Sequence, residues 1–337
     1  MKITIIGAGI TGLSTALALI KQGLDCEVFE AAPQLNEVGA GIWIQPNAMK
    51  VLDYLSIGDK VRKTGFQLNQ VELADKNLVS FRNTDSKFVT DELGNKITSI
   101  HRARLQKVLF EALPKGTVKL NSPYISHSLI NDKIRVEFKE GFTETDVLLG
   151  ADGLHSKVRK SLFESSTHYS GQTCWRGIAN INLPVEVANN GRELWGQGIR
   201  FGFASISTKE VYWFAVAKAP QNEKDIPLDR KNTLLNTYEN FAPLVRELIE
   251  NTPNEKILRN DISDLKRLST WYKENVCLIG DAAHATTPNM GQGACQGIED
   301  AYFLSHYLAK NAPKKAFELF EANRRKKVDY VLMLRKS

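Results

Sequence analysis

Gly7, Gly9 and Gly12 stand in the spacing Gly-x-Gly-x-x-Gly, between an apolar run rich in β-branched residues, Lys2-Ile3-Thr4-Ile5-Ile6, and a stretch of helix-forming composition, Ser14 to Ile20. A strand, a glycine turn and a helix in that order form a cradle for a pyrophosphate. The first glycine allows the tight turn, the second admits phosphates close to the backbone, and the third lets the helix lie near the strand. Free N–H groups at Ile10 and Thr11 then meet the anion at the positive end of the helix. A second strand over Cys26-Glu27-Val28-Phe29 ends at Glu30, where a carboxylate accepts hydrogen bonds from an adenosine ribose. A 2′-phosphate there meets a negative charge, which disfavours NADPH and leaves NAD or FAD.

These residues need a scaffold of some size. The chain has 337 residues, 42% of them hydrophobic, and exceeds the usual single-domain length, so two lobes are expected. No apolar run reaches the roughly 18 residues of a membrane span, and a first strand starting at residue 2 or 3 leaves no room for a signal peptide. Cys26, Cys174, Cys277 and Cys295 have no paired spacing, so neither a metal site nor a disulfide framework is expected. A reducing cytoplasm is the expected location.

The net charge of +6 is concentrated at one end. Lys314 to Ser337 holds eight Lys or Arg and three Asp or Glu, which supplies +5 of it. Phe317, Phe320, Val328 and Val331 recur there near helical spacing, so the segment reads as an amphipathic helix with a solvated basic face, and no nucleic-acid partner is expected. The sequence ends at Arg335-Lys336-Ser337 without a Gly or Asn cap, which reads as a helix cut short.

Periodicity outlines the elements between the glycine turn and that tail. Gly39-Ala40-Gly41-Ile42 reads as loop or strand, a helix runs from Pro46 through Tyr54, and His101 to Leu113 reads as helix because Leu105, Val108, Leu109 and Ala112 share a face. Strands are expected at Ile134–Phe138, Asp146–Leu149 and Val276–Ile279, a short basic helix at Ser156–Leu162, and a long helix at Gly293–Leu308. Between about residues 173 and 220, Trp195, Phe201, Phe203, Tyr212, Trp213 and Phe214 mark aromatic strands of a separate sheet. The expected class is α/β with two lobes. A Rossmann-like lobe with a parallel sheet takes residues 1–75, 98–172 and 268–312, a mainly antiparallel sheet lobe takes 76–97 and 173–267, and 313–337 form the C-terminal helix.

The order of the glycine turn, Arg102 in His101-Arg102-Ala103-Arg104-Leu105, Gly150-Ala151-Asp152-Gly153, and Gly280-Asp281-Ala282-Ala283-His284 followed by Pro288-Asn289-Met290-Gly291-Gln292-Gly293 resembles the single-component FAD-dependent aromatic hydroxylases. That family includes the para-hydroxybenzoate, salicylate and urate hydroxylases and zeaxanthin epoxidase, and the likeness spans nearly the whole chain. It implies an FAD held by Gly7, Gly9, Ile10, Thr11, Gly12, Glu30, Gly41, Arg102, Asp152, Gly280 and Asp281, with Asp281 on the ribityl chain. Pro288, Gly291, Gln292 and Gly293 would wrap the pyrimidine edge of the flavin, and the helix starting near Gly293 would aim its positive end at flavin N1 and O2. Asp152 resembles the aspartate that handles FAD and nicotinamide; its place ahead of a helix also fits a capping or turn role. Arg104 reads as solvated and His284 as structural.

The resemblance further implies that NADH or NADPH reduces FAD, that O2 adds at flavin C4a, and that the resulting hydroperoxide delivers one oxygen atom to an electron-rich aromatic or heteroaromatic substrate. No side chain is assigned as catalyst, since the flavin does the chemistry and the protein positions substrate and excludes water. No Gly-x-Ser-x-Gly or His-Glu-x-x-His motif competes with that reading.

Substrate contacts are expected in the sheet lobe. Strand alternation puts Arg200 with Gly202, and Tyr212 with Phe214, on single faces. An Arg followed twelve residues later by a Tyr resembles the substrate pair of the urate hydroxylases, whereas Ser170 to Gly177 resembles a carotenoid epoxidase segment. An arginine binds a carbonyl-rich ring bidentately; an exposed strand arginine at 200 and a core role for Trp175 are the alternatives. Two other functions fit the motifs: a reductase of the same fold acting on unsaturated or isoprenoid substrates, and a non-catalytic flavin-binding protein that docks through the C-terminal helix. The substrate, the choice between NADH and NADPH, and the oligomeric state are not written in these patterns.

Overall fold

The computed structural model describes residues 1–35, 40–84, 94–288 and 291–334. A six-stranded sheet runs in the order Tyr272–Lys273, Val276–Leu278, Val147–Gly150, Lys2–Ile6, Asp25–Phe29, Val118–Lys119. Its pairings are parallel, with Ile3 opposite both Val147 and Cys26, except for the antiparallel edge strand Tyr272–Lys273. Strands covered on both faces read as continuous apolar runs. That is why Ile3, Ile5, Val147, Leu148, Leu149, Val276 and Leu278 are all buried. The helix Ile10–Lys21 covers this sheet and packs against the helix Gly293–Leu308.

A seven-stranded sheet stands opposite, in the order Leu258–Leu265, Thr167–Ala179, Val211–Lys218, Arg200–Ser205, Asn190–Trp195, Gln70–Asp75, Ser80–Thr84. All its pairings are antiparallel except that of Asn190–Trp195 with Gln70–Asp75. Alternation divides its side chains between two faces. Trp175, Leu194, Phe201, Phe203 and Trp213 face a core closed by Leu234, Val245 and Leu248 from the helices Arg230–Thr237 and Pro243–Glu250. Arg176, Ile178, Gly202, Ala204, Tyr212 and Phe214 take the other face, toward the first sheet. A three-stranded sheet of Gly41–Ile44, Ile97–His101 and Phe66–Leu68 supplies the contact between the two lobes. There a Cβ on Gly41 would lie 2.2 Å from the Tyr212 ring, and Trp43 meets Phe214 edge-on at 6.3 Å.

Several elements begin and end where the sequence pattern puts them, notably Pro46–Tyr54 and Gly293–Leu308. Two stretches change sides. Gln70–Asp75 and Thr167–Gln172, expected with the parallel lobe, belong to the seven-stranded sheet, because they pair with Asn190–Trp195 and with strands reaching residue 265. Period-two alternation marks a strand without naming its partner. The C-terminal helix spans Pro313–Leu334 and buries Phe317, Phe320, Val328 and Val331. Residues 335–337, Gly39, Asn289 and Met290 lie outside the described residues. Among the described residues, no helix is long and apolar enough to cross a membrane.

Candidate cofactor and substrate site

Four of the expected segments leave the carboxyl ends of four adjacent strands. Gly7 follows Ile6, Glu30 follows Phe29, Ala151-Asp152 follow Gly150, and Gly280-Asp281 lie just past Leu278. Open α/β sheets bind ligands at this edge. Gly7 has φ +105°, a conformation reserved largely for glycine, and its N–H donates to Phe29 O at 2.8 Å. A Cβ on Gly12 would stand 1.9 Å from Gly7 O, so only a glycine lets the helix start this close to the strand. Gly9, the residue before the helix, has nothing within 4 Å of its Cβ position. The N–H groups of Ile10 and Thr11, at the first helical turn, have no intrahelical acceptor and no capping side chain. The Ile10 side chain is core, while that of Thr11 wedges between Gly280 and Gly297, whose Cβ positions lie 2.5 and 2.1 Å from its Oγ1. Gln106, on the helix Arg102–Glu111, donates to Ala8 O at 2.7 Å and holds the turn from the side.

Glu30 accepts from Ala8 N at 2.8 Å and from Ala32 N at 2.9 Å, so it braces the glycine turn. A carboxylate has about four acceptor sites, and two therefore remain for a ribose. Asp152 accepts from Ser156 Oγ (2.5 Å), Lys157 N (2.7 Å) and Val158 N (3.1 Å), which is the capping role, at the start of the helix Lys157–Leu162. The buried Arg159 on that helix donates to Leu154 O (2.6 Å) and Ala282 O (3.1 Å), tying the Asp-Gly turn to the Gly280 segment.

Asp281 is exposed, yet it is so deep among protein atoms that burial raises its carboxyl pKa, opposed by the charges of His284 and Arg102. Asp281 is thus both surrounded and accessible, and the positive charge of Arg102, from another segment, acts on it. Gly291 has φ +59°, and the Cβ position of Gly293, which opens the long helix, lies 3.8 Å from Asp281 Oδ1. Pro288 is exposed and accepts from Gly291 N at 2.9 Å. Gln292 Oε1 accepts from Asn47 Nδ2 at 3.3 Å and from Gln296 Nε2 at 2.9 Å. His284 points inward, with Nε2 2.6 Å from Asp300 Oδ2. Burial pushes the Asp300 carboxyl up, but the charges and hydrogen bonds of His284 and Arg324 outweigh it and hold the pKa at about 2.

On the facing sheet the expected pair separates. Tyr212 lies opposite Ala204 and Arg200 opposite Val216, so they share a face but stand four register positions apart, about 13 Å along the strand. Arg200 Nη1 pairs with Glu193 Oε1 at 3.0 Å. The charged neighbour of Tyr212 is Arg176, opposite Phe214 on the adjoining strand, whose guanidinium also lies 3.5 Å from Asn260 Oδ1. Burial raises the Tyr212 phenol well above its usual range. Arg176 was not singled out from the sequence; its alternation with Cys174 and Ile178 was the available signal. Trp175 is core, and its indole donates to Asp225 at 2.9 Å. Arg104 corrects its solvated reading: it makes a bidentate pair with Glu210, both contacts 2.7 Å, across the two lobes. Gly41, expected at the cofactor, yields its side-chain space to the Tyr212 ring.

A family model described as an FAD binding domain matches residues 1–332. The chain is 36% identical over 314 residues to the aurachin C monooxygenase/isomerase of Stigmatella aurantiaca, covering 93% of this chain and 82% of that protein. It is 29% identical over 338 residues to the 2-heptyl-3-hydroxy-4(1H)-quinolone synthase of Pseudomonas aeruginosa, covering 98% and 87% respectively. The crystal structure of Klebsiella pneumoniae HpxO complexed with FAD and uric acid aligns with a TM-score of 0.92 at 27% identity, over 99% of this chain and 87% of that one. Its glycine turn, its Asp281 turn and these matches agree, and the chain belongs to the FAD-binding-domain family of flavin-dependent monooxygenases and hydroxylases, as an enzyme that binds FAD.

Proposed function

We propose that this enzyme uses NADH or NADPH and O2 to insert one oxygen atom into a bicyclic, carbonyl-bearing nitrogen heteroaromatic. What supports the reading is two unlike sets of residues joined through the contact of Gly41 with the Tyr212 ring: glycine turns and Asp281 at the ends of the parallel strands, and Arg176, Tyr212, Phe214 and Ile178 on one face of the seven-stranded sheet. The residues fit FAD. Gly9 leaves open space where a pyrophosphate must approach, Asp281 is an accessible acceptor for ribityl hydroxyls, and Gly293 leaves room beside it. In this reading Ile10 and Thr11 bind the pyrophosphate, Glu30 the ribose, Arg102 and Asp281 the ribityl chain, and Gly291 to Gly293 the flavin edge, while Asp152 supports the turn through its cap.

Bound FAD supplies the redox chemistry: two electrons and a proton from the nicotinamide, one oxygen atom to substrate and the other to water. The protein's own share is placement. Arg176 and Tyr212, side by side on adjacent strands, offer N–H and O–H donors to a ring carbonyl or its enolate. Arg200 lies farther out on the same face. Trp43, Ile178 and Phe214, half-buried around them, give a flat ring an apolar seat and keep water from the reacting edge. Uric acid and a quinolone, named for two of the similar proteins, share this bicyclic pattern of ring nitrogen and carbonyl. We place the enzyme in the cytoplasm, where its buried thiols stay reduced.

The test is NAD(P)H oxidation by FAD-loaded protein over a panel of quinolones, purines and phenolic acids, with mass spectrometry of products. A quinolone or purine that accelerates oxidation and gains one oxygen atom supports the proposal. A product that gains two hydrogens instead makes the enzyme a reductase, and compound-independent formation of hydrogen peroxide alone removes the substrate assignment.

A further inference from the structure

A buried polar network runs behind the proposed site, and none of its links serves the reaction directly. Its centre is Arg324 on the C-terminal helix, only 1% exposed. The guanidinium donates through Nε to Asp300 Oδ1 (2.8 Å), through Nη1 to Glu299 Oε2 (2.7 Å), and through Nη2 to Gln296 Oε1 (2.6 Å) and Gln296 O (3.2 Å). Those three residues lead to two turns of the proposed cofactor wall, Asp300 to one and Gln296 and Glu299 to the other. Asp300 Oδ2 accepts from Gly280 N at 2.9 Å and contacts His284, so it holds the turn that presents Asp281. Gln296 Nε2 donates to Gln292 Oε1 at 2.9 Å, in the middle of the Gly291–Gly293 turn. Glu299 Oε1 accepts from Asn47 Nδ2 at 3.1 Å and from Lys327 Nζ at 2.5 Å, and Asn47 closes the loop by donating to Gln292 at 3.3 Å.

Burying two carboxylates, an arginine and an amide is costly unless every one is partnered. A hydrophobic core would have docked the helix at less risk, and Phe317, Phe320 and Val328 already do that. What the network adds is direction, since a five-donor planar guanidinium fixes the angles of everything it touches.

We infer that Arg324 and Gln296 are positioning residues that set the Gly280-Asp281 turn and the Gly291–Gly293 turn relative to each other, so that the C-terminal helix is a working part of the FAD site. The link is one of geometry: Gln292 is held from both sides, by Gln296 on its own helix and by Asn47 on the helix Pro46–Tyr54, and Gln296 is in turn aimed by Arg324. This rests on the FAD placement proposed above. It is opposed to the alternative in which a non-catalytic flavin-binding protein docks a partner through this helix without effect on FAD.

Gln296→Glu isolates the effect. The variant keeps an acceptor for Arg324 but replaces the donor toward Gln292 by a second acceptor. We compare it with Glu321→Ala, which releases the same helix elsewhere by removing acceptors for Thr270 Oγ1, Trp271 N and Arg325, and with Asp281→Ala as the reference for the site itself. The readouts are the dissociation constant of FAD from reconstituted apoprotein, the flavin visible spectrum, and the melting temperature. The expected result for Gln296→Glu is FAD binding weakened about tenfold with a shifted flavin band, the band shift appearing whatever the buried extra carboxylate does to the melting temperature. Glu321→Ala is expected to lower the melting temperature and leave the flavin spectrum alone. The inference is overturned if Gln296→Glu binds FAD with wild-type affinity and spectrum, or if affinity in both helix variants merely follows melting temperature. Should Asp281→Ala also bind FAD as the wild type does, the placement of FAD itself fails; weakening in Asp281→Ala alone leaves that placement intact and removes only the role of the network.

Discussion

At the ends of the parallel strands the groups of the proposed site are main-chain N–H groups and one short carboxylate, carried on turns where Gly7, Gly12 and Gly280 have no room for a methyl group and Gly9 leaves open space. On the facing sheet they are long side chains, Arg176, Arg200, Tyr212 and Phe214, standing on regular strands. The first wall can recognise only what every family member binds, because its shape is its backbone. The second can change its ligand by changing side chains while the ladder beneath stays paired. One wall is expected to fail abruptly and the other to retune.

The largest break comes from the first wall. Gly12→Ala puts a Cβ 1.9 Å from Gly7 O; backbone cannot yield as a flexible side chain does, and a cost of about 3 kcal/mol or more is expected. Purified protein should be colourless or insoluble, and a yellow, fully loaded Gly12→Ala would refute the close packing of helix and strand. Asp281→Ala removes an acceptor without touching the turn, and FAD binding should weaken by about 1–3 kcal/mol; titration of apoprotein with FAD measures it.

A third experiment separates the walls by pH. The Asp300 carboxyl sits at about 2 in the folded protein against 3.8 ordinarily. A lowered carboxylate contributes stability that is complete above its unfolded value and is lost as pH falls through its folded one. The wild type should therefore lose on the order of 2 kcal/mol between about pH 4 and pH 2 from this group. Asp300→Asn, less stable at neutral pH, should show a shallower acid limb in chemical denaturation, and an equally steep limb would place the acid sensitivity elsewhere. The smallest effect belongs to the second wall. Tyr212→Phe deletes the phenol beside Arg176 and leaves the ring against Gly41, so FAD content should stay full while substrate KM rises by about 1 kcal/mol equivalent. A loss of flavin in that variant would show that the walls are not independent.

The same contrast governs what could be read from the sequence. The turn at Gly7 to Gly12, the helix that Pro46 opens and the helix from Gly293 to Leu308 are local: each is specified by a residue whose own backbone or missing side chain dictates the conformation. Gln70–Asp75 went to the wrong side of the lobe boundary because its alternation marks a strand and is silent about the partner. Arg200 and Tyr212 were read as a substrate pair from their spacing in sequence, but spacing is silent about register, which sets them four positions apart on adjacent strands and puts Arg176 beside Tyr212. Arg104 meets Glu210 across 106 positions of sequence. Arg324 was hidden by composition: in a segment with eight basic residues, nothing local distinguishes the one that is buried.

The seat of Tyr212 has a further meaning. Residue 41 carries no side chain because the ring fills that space, so the two positions hold a single shared volume across the lobes. A methyl group at 41 would lie 2.2 Å from the ring, so it would have to be matched by a smaller or turned side chain at 212, and under the proposed reading an exchange in the cofactor lobe would then be felt at the substrate seat.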